Sequence, residues 1–268
     1  MSGPEVVEGV AVHRDVVHLQ VEGYRPLSLD LYVPVGGPRG LCVYTHGGGW
    51  LRGSRRNGPG PLSPTSDRLF VRAAQRGLAI ASVDYRLSGE ARFPAQMNDV
   101  DAAIGWLDGH REEYGIGEAP LVTWGVSAGG QLAALRALSS SQPAARACAL
   151  WYSVTDLRTM PVIPVDDGPS REQRLLGGTV EQAPILAAKG SPVAQVHAGA
   201  PPFLILHGDQ DKAVPSSQSS QLHSALLAAG ATSSYEVMPG YDHMFAGMSD
   251  STVDGLVDRT VSFLLSHV

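Results

Sequence analysis

The stretch Gly125-Val126-Ser127-Ala128-Gly129-Gly130 constrains this chain more than any other. The apolar run Pro120 to Trp124 leads into it and the helix-forming run Gln131 to Leu138 leads out. The local order is strand, tight turn, helix, with a serine at the turn. A turn this sharp holds the serine in strained φ/ψ and leaves no room for side chains on either side. Gly125 and Gly129 supply that room. The hydroxyl then stands exposed above the sheet, with the positive end of the following helix pointed at it. This is the pattern of a nucleophile elbow. A glycine-rich turn carrying an ordinary serine would read the same over six residues, so the rest of the chain must separate the two.

Two β-rich runs open the chain, Val16 to Val21 and Leu27 to Val33, and Glu22 to Pro26 between them reads as the turn of an antiparallel hairpin. Leu41 to Thr45 is a continuous apolar strand that ends in His46-Gly47-Gly48-Gly49-Trp50. Helix and strand alternate from there. Ser66 is placed to cap a helix running to about Gln75. The strand Leu78 to Val83 precedes Asp84-Tyr85-Arg86-Leu87, and a helix runs from Pro94 to about Leu107. Further strands are predicted at Pro120 to Trp124, Arg146 to Trp151, Pro202 to Leu206 and Ser233 to Met238, with helices over Ser216 to Ala229 and Val253 to Leu265. The reading is α/β: a mostly parallel eight-stranded sheet covered by helices on both faces, with the hairpin at one edge. No internal repeat or linker interrupts it, so residues 1–268 read as a single domain. Two stretches break the alternation: Arg52 to Thr65, rich in Gly, Pro and Arg, and Thr155 to Ala200. A segment as long as the second, at about 155–200, reads as a lid inserted over the elbow or as surface elaboration.

The formal net charge of −6 offers no footprint for nucleic acid, and no run approaches the roughly 18 apolar residues of a membrane span. The N-terminal stretch carries Glu5 and Glu8 and has no apolar signal-peptide core, so a cytoplasmic location is expected. Cys42 and Cys148 fall in apolar strands and read as buried free thiols. The nine histidines include no H-E-x-x-H and no zinc-type Cys/His spacing, so no metal and no cofactor is expected. Self-association is left open.

A serine hydroxyl needs a base, and the base a carboxylate to hold it. On a sheet of this kind the partners follow the serine in the order acid, then histidine, at the carboxyl ends of late strands. Asp209 and Asp211 both follow the strand ending at Leu206, and His243 follows the strand ending at Met238. Asp242 is adjacent to His243 but would direct its side chain elsewhere, and His207 reads as a buried hydrogen-bonding residue. The amide of Ala128, after the serine, and those of His46-Gly47-Gly48-Gly49 are placed to receive an oxyanion. His46 is expected to fix that loop without reacting.

These motifs together, His46 to Trp50, Asp84 to Leu87, Gly125 to Gly130, His207 to Asp211 and His243, resemble α/β-hydrolase carboxylesterases, from about Leu29 to the C-terminus. The similar groups are the hormone-sensitive-lipase-like esterases and the feruloyl/acetyl-esterase and kynurenine-formamidase-like hydrolases. The resemblance implies a Ser127–Asp211–His243 triad, favouring Asp211 over Asp209, and oxyanion amides from Gly48, Gly49 and Ala128. Val126 stands where lipase-like members carry Glu, and Gly49 where formamidases often carry an aromatic residue. The expected activity is hydrolysis of small-molecule carboxylic esters through an acyl-enzyme. An amidase, formamidase or acyltransferase with the same triad is the alternative, and a lyase or a binding protein on this fold a more distant one. Trp50, Met244 and Phe245, together with Leu51, Met160, Val162 and Ile163, are candidates for an apolar substrate pocket or for simple packing. Arg52, Arg55 and Arg56 would attract an anionic substrate or form a solvated charged loop.

Overall fold

The computed structural model describes residues 4–61 and 67–268. In chain order the strands and helices are β1 (Glu5–Val7), β2 (Val10–Leu19), β3 (Leu27–Pro34), β4 (Gly40–Thr45), α1 (Asp67–Gln75), β5 (Leu78–Val83), α2 (Ala95–Gly109), β6 (Leu121–Val126), α3 (Ser127–Ala137), β7 (Cys148–Trp151), β8 (Pro164–Val165), β9 (Gly168–Ser170), α4 (Arg171–Leu176), α5 (Pro184–Lys189), β10 (Phe203–Gly208), α6 (Ser217–Ala228), β11 (Ser233–Met238) and α7 (Asp250–Leu265). The main sheet runs β1-β2-β3-β5-β4-β6-β7-β10-β11. From β5 to β11 every pairing is parallel, and β1, β2 and β3 join antiparallel at one edge. This is the mostly parallel sheet that the alternation of elements predicts, and it fits the α/β-hydrolase fold that the resemblance implies.

The sheet has nine strands where eight were expected. The additional one, β1, is three residues long, and short strands leave little periodicity to read. It folds back on β2 through Glu8 and Gly9, both at positive φ (50° and 81°), a two-residue turn of the kind hairpins favour. The β2 strand begins at Val10, not Val16. Its register shifts between His13 and Val16, and Asp15 there has φ of 56°, which breaks the alternation that would have revealed the strand. A separate two-stranded ribbon, β8–β9, lies in the 155–200 segment. The expected cap Ser66 lies outside the described residues.

The central strands β4, β5, β6, β7 and β10 are buried at every position, as continuous apolar runs require when both faces are covered. Residues of α2, α3 and α6 build the core on one face, and residues of α1 and α7 build it on the other. Cys42 and Cys148 are buried free thiols. Among the described residues, no helix is long and apolar enough to cross a membrane.

The chain turns back at β4. It runs from β4 to β5 on one side, then crosses to β6 on the other, so β4 and β6 are hydrogen-bonded neighbours with Thr45 opposite Gly125. The carboxyl ends of these two strands carry the His46–Trp50 loop and Ser127. A switch point of this kind opens the crevice in which α/β sheets bind ligands.

Candidate active site

The elbow is built as its glycines require. Ser127 has φ of 53°, the left-handed region that a non-glycine residue seldom occupies. A β-carbon on Gly129 would press on the carbonyl oxygens of Thr45 and His46, and one on Gly125 would lie 2.5 Å from the Gly129 oxygen. Thr45 Oγ1 donates to that same oxygen at 2.7 Å and so locks the turn to β4. The helix α3 begins at the serine itself, leaving first-turn amides, Ala128 among them, without intrahelical acceptors.

Ser127 Oγ lies 3.0 Å from His243 Nε2, and His243 Nδ1 lies 2.7 Å from Asp211 Oδ2. The other oxygen of Asp211 accepts the amides of Ala213 and Val214 at 2.9 and 2.8 Å. Burial works against the charge of this carboxylate. The hydrogen bonds from His207 and His243, the histidine's charge and the Val214 amide outweigh it and hold the group well below the usual carboxylate range. Asp209 does not enter the relay, because its Oδ1 accepts the Gly240 amide at 2.7 Å. Asp242 accepts the amides of both Lys212 and His243, at 2.9 and 2.7 Å, tying the loop of the acid to the loop of the histidine. His207 is fully buried between Ser219 Oγ (2.7 Å) and the Val214 oxygen (2.9 Å), with Asp211 at 3.2 Å. It is the hydrogen-bonding residue that its place before a glycine suggested.

Gly48 and Gly49, at φ of 120° and 63°, bring the loop after β4 alongside the serine. Among the described residues, neither of their amides has a protein acceptor. His46 holds the loop from beneath. Its Nδ1 meets the Gly47 oxygen at 2.7 Å, its ring stacks on Tyr85 at 4.3 Å, and the Tyr85 hydroxyl donates to its carbonyl at 2.8 Å. Burial pulls the His46 pKa down to about 4, so the ring is neutral at pH 7. Trp50 closes the loop by donating to Gln131 Oε1 at 3.0 Å, and Gln131 Nε2 donates to the Gly190 oxygen at 2.7 Å. One side chain of α3 thus joins the glycine loop to the 155–200 segment.

A cavity of about 400 Å³ opens over Ser127 and His243, lined by the glycine loop, Trp50, Tyr152, Met160 and Met244 among others. Phe245, expected beside Met244, does not face it. The chain turns sharply at Met244 and Phe245 (φ 62° and 55°), so Met244 points to the cavity and Phe245 is fully buried against Trp151 and Tyr152. Val162 and Ile163 are exposed on the outer surface. Arg55 and Arg56 serve the fold: Arg55 pairs with Asp30 and Asp84 (2.8 and 2.7 Å) and Arg56 with Asp15 (2.8 Å). Only Arg52 of that trio lines the cavity.

Sequence reading missed Tyr152, Gln131, Arg171 and Glu172. The Tyr152 ring lies 5.1 Å from His243, edge to face, and its hydroxyl accepts the Gly60 amide at 2.8 Å. Its place one residue after β7 was the available signal. Arg171 and Glu172 follow Ser170, whose capping box with Gln173 starts α4, a cue for the helix and not for the cavity. Among the described residues, no group of three or more His, Cys, Asp or Glu is placed to hold a metal ion.

Fold and site together define the α/β-hydrolase class, with a serine at the elbow and a histidine and an aspartate in line behind it. The chain belongs to the BD-FAE family, whose model matches residues 29–226. That span includes Ser127 and Asp211 and stops before His243. Esterase LipQ of Mycobacterium tuberculosis is 34% identical over 218 residues, which are 76% of this chain and 50% of that protein. The chain spans about half the length of the curated relatives it matches. Among solved structures, propionate-bound esterase 2 of Thermogutta terrifontis superposes with a TM-score of 0.75 at 25% identity, over 97% of this chain and 94% of that one. The same enzyme is also known phosphonylated by sarin. A truncated carbohydrate esterase from gut microbiota shares the fold with a TM-score of 0.80 at 22% identity, over 99% and 100% of the two chains.

Proposed function

We propose that this chain is a serine hydrolase that cleaves carboxylic esters of small molecules through an acyl-enzyme. The observation that carries the reading is the unbroken relay Ser127 Oγ, His243, Asp211 beside a loop of unengaged glycine amides. His243 Nε2 takes the serine proton as Oγ bonds to the ester carbonyl carbon. Asp211 keeps the other nitrogen protonated and stabilises the imidazolium. The amides of Gly48, Gly49 and Ala128 receive the charge that develops on the carbonyl oxygen, and loss of one such donor costs about 10²–10³ in rate. The carbon–alkoxide bond then breaks, His243 returns the proton to the departing alcohol, and water repeats the sequence on the acyl-enzyme to release the acid. The LipQ relative and the esterase bound to propionate support an ester as the bond cleaved.

The 155–200 segment is the lid of this reading. Gln131 and the buried bonds of Thr155 to Gln218 anchor it to the body of the domain. A cytoplasmic setting accords with two buried cysteines kept as thiols. The test is turnover of p-nitrophenyl acetate, butyrate and octanoate by the chain and by Ser127→Ala, with the matched anilides in parallel. Turnover abolished by the substitution is expected. Faster cleavage of anilides than of esters would move the assignment to an amidase. No turnover together with no fluorophosphonate labelling of Ser127 would overturn the hydrolase reading.

A further inference from the structure

Acidic groups outnumber basic ones in this chain, and most of its arginines are engaged by them. Arg14 pairs with Asp67, Arg72 with Asp258, Arg86 with Asp99 and Arg158 with Asp156. Two arginines that line the cavity stand apart. Among the described residues, the guanidinium groups of Arg52 and Arg171 have no hydrogen bond or ion pair to any protein group. Arg171 opens α4 in the 155–200 segment and lies against the glycine loop. A β-carbon on Gly49 would fall 2.8 Å from Arg171 Nε and closer still to its Cδ. Packing on a bare glycine therefore holds this half-buried side chain, and no carboxylate does. Among the described residues the one carboxylate in the lining, Glu172, accepts the Ser170 hydroxyl at 2.8 Å. Apart from His243, the lining carries two guanidinium charges against one carboxylate, within a chain of net charge −6.

A guanidinium drawn partly out of water without a counter-charge loses hydration and gains nothing in return. Its planar fork is built to take a carboxylate through two parallel bonds, and such bonds strengthen as water is excluded. We propose that Arg171, assisted by the more exposed Arg52, is a specificity residue that selects esters bearing a second, anionic group, of which a carboxylate fits the fork best. The inference rests on the ester-hydrolase reading and narrows it: the substrate class becomes half-esters of dicarboxylic acids or esters of hydroxy acids.

The test compares charged and neutral esters of matched size. 4-Acetoxybenzoate puts the charge on the leaving alcohol, with 4-acetoxybenzamide as its neutral partner. Mono-p-nitrophenyl adipate puts it on the acyl group, with p-nitrophenyl hexanoate as its partner. One charge-assisted contact predicts that the charged member of at least one pair is preferred by about ten- to a hundredfold in kcat/KM, mostly through KM. In Arg171→Gln that preference falls at least tenfold, and Arg171→Lys keeps part of it. A loss shared equally by both members of each pair, or no charge preference in the unmodified enzyme, overturns the proposal while leaving the hydrolase reading standing. Calorimetric titration of Ser127→Ala with 4-acetoxybenzoate and with the adipate half-ester, with and without Arg171→Gln, reads the subsite independently of turnover. Affinity for at least one of them that depends on Arg171, in a chain that turns over no ester, would keep the subsite and sink the hydrolase reading.

Discussion

Asp211→Asn tests the relay at its carboxylate, whose side chain is fully buried. The side chain is fixed from two sides: one oxygen accepts two backbone amides, from Ala213 and Val214, and the other faces His243 Nδ1 at 2.7 Å. An asparagine must keep its single oxygen on the two amides, since two buried donors left without an acceptor would cost about 1–3 kcal/mol each. Its NH₂ then points at His243 Nδ1. That nitrogen becomes an acceptor, the ring proton moves to Nε2, and Nε2 can no longer take the proton of Ser127 Oγ 3.0 Å away. The loss is one of tautomer, not of geometry. A wrong tautomer in such a relay costs about 10⁴ in kcat, or about 5 kcal/mol of transition-state stabilisation. The assay is steady-state hydrolysis of p-nitrophenyl butyrate at pH 7, with circular dichroism and the thermal midpoint as folding controls. Asp209→Asn is run beside it, because among the described residues the Asp209 carboxylate engages only the Gly240 amide. A folded Asp211→Asn within tenfold of the unmodified enzyme, or an Asp209→Asn equally impaired, would refute the assignment of the acid.

Three further outcomes follow from the same geometry. His46 is buried with its pKa drawn down to about 4, while an unfolded chain would titrate it near 6.5. Between those values the unfolded state binds the extra proton, so this contribution to stability is complete above about pH 6.5 and is lost as pH falls toward 4. From pH 7 to pH 5 the loss is about 2 kcal/mol, measured by urea unfolding against His46→Gln, whose stability should lack this component. Gly129→Ala drives a methyl into the Thr45 and His46 carbonyls and should destabilise by about 3 kcal/mol or more. Gly105→Ala, in α2 with nothing within 4 Å, should instead stabilise by about 0.5–1 kcal/mol; equal midpoints for the two would contradict the steric reading. Gln131→Leu strands the Trp50 indole N–H and the Gly190 oxygen, with an expected cost of about 2–3 kcal/mol in urea unfolding and a lower kcat, because the glycine loop loses its tie to the 155–200 segment. A variant with unchanged stability and kcat would show that the tie is dispensable.

The sequence by itself carried those features of the site whose cause is local. Ser127 between two glycines, the glycine run after Thr45, and Asp211 and His243 just past apolar strands are legible because a strained turn, a close backbone approach and a strand end each demand a residue type at a position. Alternating apolar runs and amphipathic segments declared the parallel sheet, since strands buried on both faces have to be apolar throughout. Three residues of β1 and the bulged start of β2 escaped because neither keeps a period long enough to read.

What the sequence could not determine depends on residues far apart in the chain. Asp209, Asp211 and Asp242 are all carboxylates near a strand end, and only the tertiary structure decides which one faces His243, because the choice turns on which backbone amides capture the other two. Arg52, Arg55 and Arg56 are neighbours in sequence, yet two are spent on Asp15, Asp30 and Asp84 from distant strands and loops and one is left to the cavity. Met244 and Phe245 are adjacent and apolar, and left-handed backbone at both sends one to the cavity and the other into the core. Arg171 reaches Gly49 across 122 positions of chain. Local sequence specifies backbone shape and residue chemistry, but a side chain's partner is set by what the completed sheet and its covering segment bring within reach.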